Sequence, residues 1–231
     1  MSLEQHLAGR LNETAMQEHN SGPYGVVEKI FPGAMFGDLL AGFPTALNPI
    51  TTEPKRNHWN ASRRVEMQLP RDLDAIDESA GRKLWTQFSD AVQSAVVVRA
   101  MMLRLGIEGE TTDFRIVSRV CRHLESHYLG PHTDHKKKVA SIIFYFPDTA
   151  EEDPSLGTAF YRHRLDPAFE CDGSTKYRFD DFEEVFRVGF APNRALFFAR
   201  TNRSFHGVAL MTPEKAQVTD RKIVQTEIWQ K

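Results

Sequence analysis

The chain has 231 residues, 41% hydrophobic and 26% charged, a globular composition of roughly one and a half ordinary domain lengths. Its 29 Lys and Arg nearly balance its 31 Asp and Glu, for a net charge of -2, which argues against nucleic-acid or anionic-membrane partners. Two cysteines, Cys121 and Cys171, are too few for a disulfide framework, and no apolar run reaches signal-peptide or membrane length, so a cytoplasmic location with free thiols is expected.

The first element reads as a helix, capped by Ser2 with Gln5 three residues on, and carrying Leu3, Leu7 and Leu11 on one face. Gly22 and Pro23 break it, and residues 25–31 read as a strand. Pro32-Gly33 makes a turn before a short helix over 35–41. Residues 51–60 are polar and irregular, which predicts an exposed loop. The clearest helix follows: Leu84, Phe88, Ala91, Val92, Ala95, Val98, Met102 and Leu105 recur at intervals of three and four, and Gly106 supplies the stop.

After Gly106 the pattern changes to short β-branched and aromatic runs at 114–120, 139–146, 158–161, 184–190, 195–199 and 222–229. Helices first and strands afterwards predict an α+β fold: one domain over 1–231, a mainly helical lead-in to residue 106, and an all-β core over 107–231. The polar stretch after Tyr161, with Pro167 and Gly173, predicts an insertion on the rim of that core. Segments 51–64 and 162–178 are the expected substrate rim.

Gly130-Pro131-His132-Thr133-Asp134 is the sharpest local feature. In extended backbone, residues two apart point the same way, so His132 and Asp134 present an imidazole and a carboxylate together. Far downstream, Ser204-Phe205-His206-Gly207-Val208 follows an apolar strand. Two imidazoles and one carboxylate on one face of an octahedral ion leave three positions open, the arrangement that suits non-haem Fe(II) and O₂. Fifteen residues beyond His206, Arg221 opens the last strand and shares a face with Ile223 and Gln225. An arginine on the inward face of an apolar strand requires an anion, and a dicarboxylate would meet its fork. Tyr145 shares a face with Ser141 and Ile143, and its hydroxyl can reach the same carboxylate.

With these motifs in this order, together with Gly157-Thr158 and residues 141–147, the sequence resembles the Fe(II)- and 2-oxoglutarate-dependent oxygenases, particularly their prolyl-hydroxylase-like branch. The resemblance spans about half the chain, from Arg115 to Trp229. It implies a double-stranded β-helix, or jelly roll, braced by the N-terminal helices. It also implies His132, Asp134 and His206 as iron ligands, Arg221 on the distal carboxylate of 2-oxoglutarate, and Tyr145 beside it. Arg221 stands farther from His206 than is usual in prolyl hydroxylases, with 211–219 as an extra loop, so Lys222 is a second candidate for the anion. Halogenating relatives replace the carboxylate ligand with a small residue; Asp134 is present, which favours hydroxylation. The implied cofactors are Fe(II), 2-oxoglutarate and O₂, and the implied products succinate and CO₂. A small-molecule substrate is expected, with a peptide side chain as the other candidate. The rival reading is a non-catalytic or cupin-like metal-binding β-helix protein that does not use 2-oxoglutarate.

Other polar residues invite blander readings. His123 and His127 would form a zinc pair on a helix, but they lie in a strand followed by a turn, so surface or supporting roles are expected. Arg119 and Arg122 could face substrate, though solvated or ion-paired roles are the simpler expectation. Lys136, Lys137 and Lys138 read as a solvated turn.

Overall fold

The structure, a computed structural model, describes residues 1–19, 21–45, 47–52, 60–76, 79–149, 151, 153–171, 173, 175–218 and 220–231. Its helices are α1 (Leu3–Glu13), α2 (Gly33–Ala41), α3 (Ser79–Gln93), α4 (Ala95–Leu105) and α5 (Pro213–Val218). The strands are β1 (Met16–His19), β2 (Gly22–Val27), β3 (Asn48–Thr52), β4 (Asn60–Leu69), β5 (Phe114–His123), β6 (Tyr128–His132), β7 (Lys138–Tyr145), β8 (Asp153–His163), β9 (Phe182–Phe190), β10 (Ala195–Ala199), β11 (His206–Val208) and β12 (Arg221–Gln230).

Two antiparallel layers face each other. The larger runs β1-β2-β10-β7-β12-β5-β4, with β3 on the outer side of β4, and the smaller runs β6-β11-β8-β9. β4 belongs to both, because its first residues pair with β6. This is the double-stranded β-helix, and side-chain alternation explains its two larger cores. Along β7 and just beyond it, Ile142, Phe144 and Phe146 pack against Phe31, Trp85, Phe88 and the helices. Ile143 and Tyr145 point the other way, to Phe160, Phe190, Phe198 and Ile223 between the sheets. Both faces are covered, so the strand reads as a continuous apolar run rather than an alternating one.

The helical brace starts as the sequence predicts. Ser2 Oγ accepts from Gln5 N–H, and Gln5 Oε1 accepts from Ser2 N–H at 3.2 Å, so both ends of a capping box close over Leu3, Leu7 and Leu11. The stripe over 84–105, however, is two helices. Ser94 is extended (φ -64, ψ 147) and caps α4 by accepting from Val97 N–H. Both helices press one apolar face onto the core, so the periodicity runs across the break unaltered. Gly106 ends α4 at φ 67, as its position suggested.

Further differences concern the segments around the core. The first 106 residues carry β1–β4 as well as the helices. Residues 51 and 52 close β3 and residues 60–64 open β4, a hairpin where a loop was expected; residues 53–59 lie outside the described residues. The expected loop over 211–219 contains α5, with Met211 buried between the sheets. At the other end of the expected 25–31 strand, β2 stops at Val27. Asn193 then takes over from the ladder, its side chain accepting from Phe31 N–H at 2.8 Å and donating to Phe31 O at 2.9 Å. Among the described residues no helix is long and apolar enough to cross a membrane.

Candidate metal centre

β6 and β11 pair antiparallel with His206 directly opposite His132. That register brings the two rings to 4.4 Å, although 74 positions separate them in the chain. Asp134 follows β6 in a turn, at φ 34, a left-handed conformation that a short Asp side chain tolerates. Its Oδ1 lies 3.6 Å from His132 Nε2, and its Oδ2 lies 3.6 Å from His206 Nε2. One ligand atom from each of the three falls within 4.8 Å of the others, and all three side chains are buried.

The ring orientations are set from behind. His132 Nδ1 donates to Gly130 O at 3.1 Å and His206 Nδ1 to Ser204 O at 2.9 Å. A carbonyl only accepts, so each ring carries its proton on Nδ1 and turns an Nε2 lone pair toward the shared point. Burial, then the neighbouring His132, pushes the His206 pKa down to about 4, which keeps its lone pair free. Burial alone would raise the Asp134 carboxyl; the Lys138 ammonium, then His206 and His132, hold it well below the usual carboxylate range. Asp134 Oδ2 is buried without a hydrogen-bond partner. A buried ionised oxygen facing two imidazole lone pairs lacks only a cation, so this donor set fits a divalent metal ion.

Gly207 makes the pairing possible. Between His206 and Val208 the register with β6 shifts, and a Cβ on Gly207 would stand 2.4 Å from Leu129 O. Gly207→Ala is therefore expected to push β11 off β6, costing about 1–3 kcal/mol and weakening metal binding through His206. Gly33→Ala, where a Cβ meets nothing within 4 Å, should leave both unchanged. Thermal unfolding and Fe(II) titration of the two variants check this; metal affinity equal in both would refute it.

A cavity of about 470 Å³ runs from this triad to Arg221, within the usual range for small-molecule sites. Arg221 opens β12 opposite His123 of β5, next to the strand that carries Tyr145. Its Nε donates to Leu156 O at 2.5 Å, Nη1 to His123 Nδ1 at 2.9 Å, and Nη2 to Thr158 Oγ1 at 3.3 Å. Three of the five guanidinium donors are thus engaged, and one N–H remains on each terminal nitrogen. Tyr145 Oη donates to the same Thr158 Oγ1 at 2.8 Å, which frees the threonine proton for a further acceptor. Arg221 is 1% exposed, and among the described residues no carboxylate pairs with it. Burial lowers its pKa to about 10, still charged at neutral pH. Lys222 lies on the opposite face of β12, its Nζ 2.5 Å from Asp148.

Sequence reasoning missed several members of this cavity. His123 and His127 are buried, their rings tilted against each other with centroids 3.8 Å apart, and lie outside the His132–Asp134–His206 cluster. Arg221 can only donate, so His123 accepts on Nδ1 and keeps its proton on Nε2. Burial, then His127 and Arg221, holds His123 well below the ordinary histidine value; burial, then Arg221, brings His127 to about 3. Thr158 had no role assigned beyond its place in a motif. Arg119 lines the cavity, whereas Arg122, on the other face of β5, pairs with Asp220. Lys138 is 5% exposed and not solvated, its Nζ bonded to Asp134 Oδ1 at 2.8 Å and to Glu227 Oε1 at 2.5 Å. Both expected rim segments touch the cavity, through Asn60 and Arg64 and through Lys176. The second is tied to the metal turn: Thr133 Oγ1 donates to Cys171 O, and Tyr177 N–H to Pro131 O. Cys121 also lines the cavity, and burial pushes its thiol up to about 12, away from reactive thiolate.

No family model matches the sequence, and no curated protein does. Solved structures do match. A prolyl hydroxylase of Trichoplax adhaerens, in complex with a hypoxia inducible factor oxygen degradation domain peptide fragment, superposes with a TM-score of 0.56 at 11% identity, over 99% of this chain and 89% of that one. A Pseudomonas putida prolyl-4-hydroxylase gives 0.54 at 9% identity over 99% of both chains. HygX from Streptomyces hygroscopicus, with nickel and 2-oxoglutarate bound, gives 0.51 at 11% identity, over 91% and 84%. At these identities the likeness shows the fold, and it is the fold that the motif resemblance implied.

Proposed function

We propose that this chain, built on the double-stranded β-helix shared with prolyl hydroxylases, is an Fe(II)- and 2-oxoglutarate-dependent dioxygenase that hydroxylates a small organic substrate. One observation carries the reading. A single cavity holds a His-Asp-His donor set with an unpartnered carboxylate oxygen and, farther along, a buried arginine with which no carboxylate pairs among the described residues. In this reading His132, Asp134 and His206 hold iron, and Arg221, with Thr158 and Tyr145, holds the distal carboxylate of 2-oxoglutarate. The neighbour with nickel and 2-oxoglutarate bound supports that pairing of ligands. Bound together, iron, 2-oxoglutarate and O₂ supply an oxidant for C–H hydroxylation, with succinate and CO₂ released.

The chain's own part is placement. The Nδ1 bonds to Gly130 and Ser204 fix both imidazoles, and Asp134 supplies the charge that neutral histidines lack. Arg221 presents two parallel donors to a carboxylate, which sets the co-substrate's direction along the cavity. Asp134 and Arg221 are both buried, so both charged contacts act in a poorly screened interior. Arg64, Glu66 and Arg119 make the mouth polar, which suits a small polar substrate. The neighbour solved with a peptide keeps a peptide side chain as the other candidate.

The test is anaerobic. Fe(II) followed by 2-oxoglutarate should give the visible charge-transfer band of a keto acid chelated to iron. The band should be absent in His206→Ala and in Asp134→Ala. Iron binding without a band would favour a cupin-like metal enzyme, and no iron binding at all would discard the triad.

A further inference from the structure

The charged chain behind Asp134 has no place in the chemistry described so far. Lys138 Nζ sits between two carboxylates, Asp134 Oδ1 at 2.8 Å and Glu227 Oε1 at 2.5 Å. Glu227 Oε2 accepts in turn from Arg119 Nη1 at 2.6 Å and from Trp229 Nε1 at 3.0 Å. Lys138, Asp134 and Glu227 are all at least nine-tenths buried, and Trp229 is partly so. A buried ion pair is a poor source of stability, because desolvation offsets most of the attraction. What it does supply is fixed geometry. The two Asp134 oxygens are made unlike: Oδ1 is held by the ammonium, while Oδ2 has no hydrogen-bond partner and lies 3.6 Å from His206 Nε2.

We propose that Lys138 is a positioning residue for the metal centre, clamping Asp134 Oδ1 so that the carboxylate offers the metal Oδ2 alone. Glu227, held by Arg119 and Trp229, is the anchor of that clamp. The inference rests on the proposed function, and it supplies a condition that function needs. An octahedral ion bound by two imidazoles and one carboxylate oxygen keeps three positions free, two for a chelating keto acid and one for O₂. A carboxylate free to swing and bind through both oxygens would take one of the three. The reach suits a lysine: β12 carries Glu227 past Lys138 at the start of β7, so a single ammonium spans both carboxylates.

Metal-free parent, Lys138→Met and the double variant Lys138→Met/Glu227→Gln are titrated with Co(II). Affinity is read by calorimetry, coordination by the visible d–d spectrum, and integrity by thermal unfolding. The single variant strands a buried Glu227 charge and is expected to unfold early; the double variant removes that charge and keeps a hydrogen-bonding group for Arg119 and Trp229. The folded double variant is expected to bind Co(II) at least about tenfold more weakly, with a d–d spectrum shifted from the parent's as a second carboxylate oxygen replaces another ligand on the ion. Lys138→Arg should recover part of the affinity. A folded double variant with affinity within about twofold of the parent and the parent's spectrum overturns the clamp and makes the ion chain structural only. Should the double variant not fold, Lys138→Gln, which shortens the reach, is held to the same two outcomes. A parent that binds Co(II) but gives no keto-acid band with Fe(II) overturns the oxygenase reading, while a tenfold loss in the variant would still support the clamp. A parent that binds no metal overturns both.

Discussion

Alanine in place of Arg221 is expected to abolish the 2-oxoglutarate charge-transfer band at concentrations that saturate the parent, while Fe(II) still binds. The guanidinium makes no contact with the triad; its bonds go to Leu156, His123 and Thr158. Loss of one partner from a buried charge-assisted pair costs about 2–5 kcal/mol, and each 1.4 kcal/mol is tenfold in affinity. Co-substrate affinity should therefore fall by about 30-fold to about 4,000-fold. A lysine at this position would restore charge without the two-pronged geometry, so Arg221→Lys should lie between parent and alanine. Stability should move the other way. Arg221 is buried without a carboxylate partner among the described residues, and burial has already drawn its pKa down to about 10. Arg221→Met removes that desolvated charge, so the metal-free variant should unfold no earlier than the parent, and later if the methionine packs well. Calorimetric unfolding and band titration on one preparation separate the two effects. A variant that keeps the band, or loses it only because the protein unfolds, would end the assignment of Arg221 as the anion site.

How much of this was legible in the sequence depends on the range of each interaction. His132 and Asp134 could be paired on paper because extended backbone has a period of two, and His206 because a short motif follows an apolar strand. Arg221 could be turned inward by counting from Ile223. The Ser94 break left no mark, since the apolar stripe it interrupts continues on the same face in the next helix. β4 was hidden for the opposite reason. Its cavity-facing residues include Arg64 and Glu66, so a polar-looking segment is a strand whose inner face lines a polar cavity. Lys138 reads as solvated because its anchor, Glu227, is 89 residues away and reaches it only through the β7–β12 register. His123 meets Arg221 across 98 residues in the same manner. Local spacing carried the ligands; the groups that hold the ligands in place are long-range and needed the fold.

The two cavity histidines give the protein an acid limit. In the folded state His123 and His127 are neutral, the first held well below its ordinary value and the second at about 3. In the unfolded chain both titrate near 6.5, so below that pH the unfolded state binds more protons and stability falls as pH falls. For His127 the loss is about 1.4 kcal/mol per pH unit and runs from about 6.5 down to about 3. Two units below 6.5 His127 alone costs about 2.7 kcal/mol, roughly half the stability of a marginal domain, and His123 acts in the same direction. The arrangement has a reason in the site. An imidazolium beside Arg221 would repel it and compete for the same anion, whereas a neutral ring can accept from the guanidinium and leave its charge for the ligand. His127→Phe keeps an aromatic ring against His123 and removes one titrating group, so the acid slope of the denaturation free energy between pH 6 and 4.5 should drop by about 1.4 kcal/mol per unit. Urea unfolding of metal-free parent and variant across that window measures it. An unchanged slope would mean that His127 takes up its proton in the folded protein, and that the pocket around Arg221 is open to water.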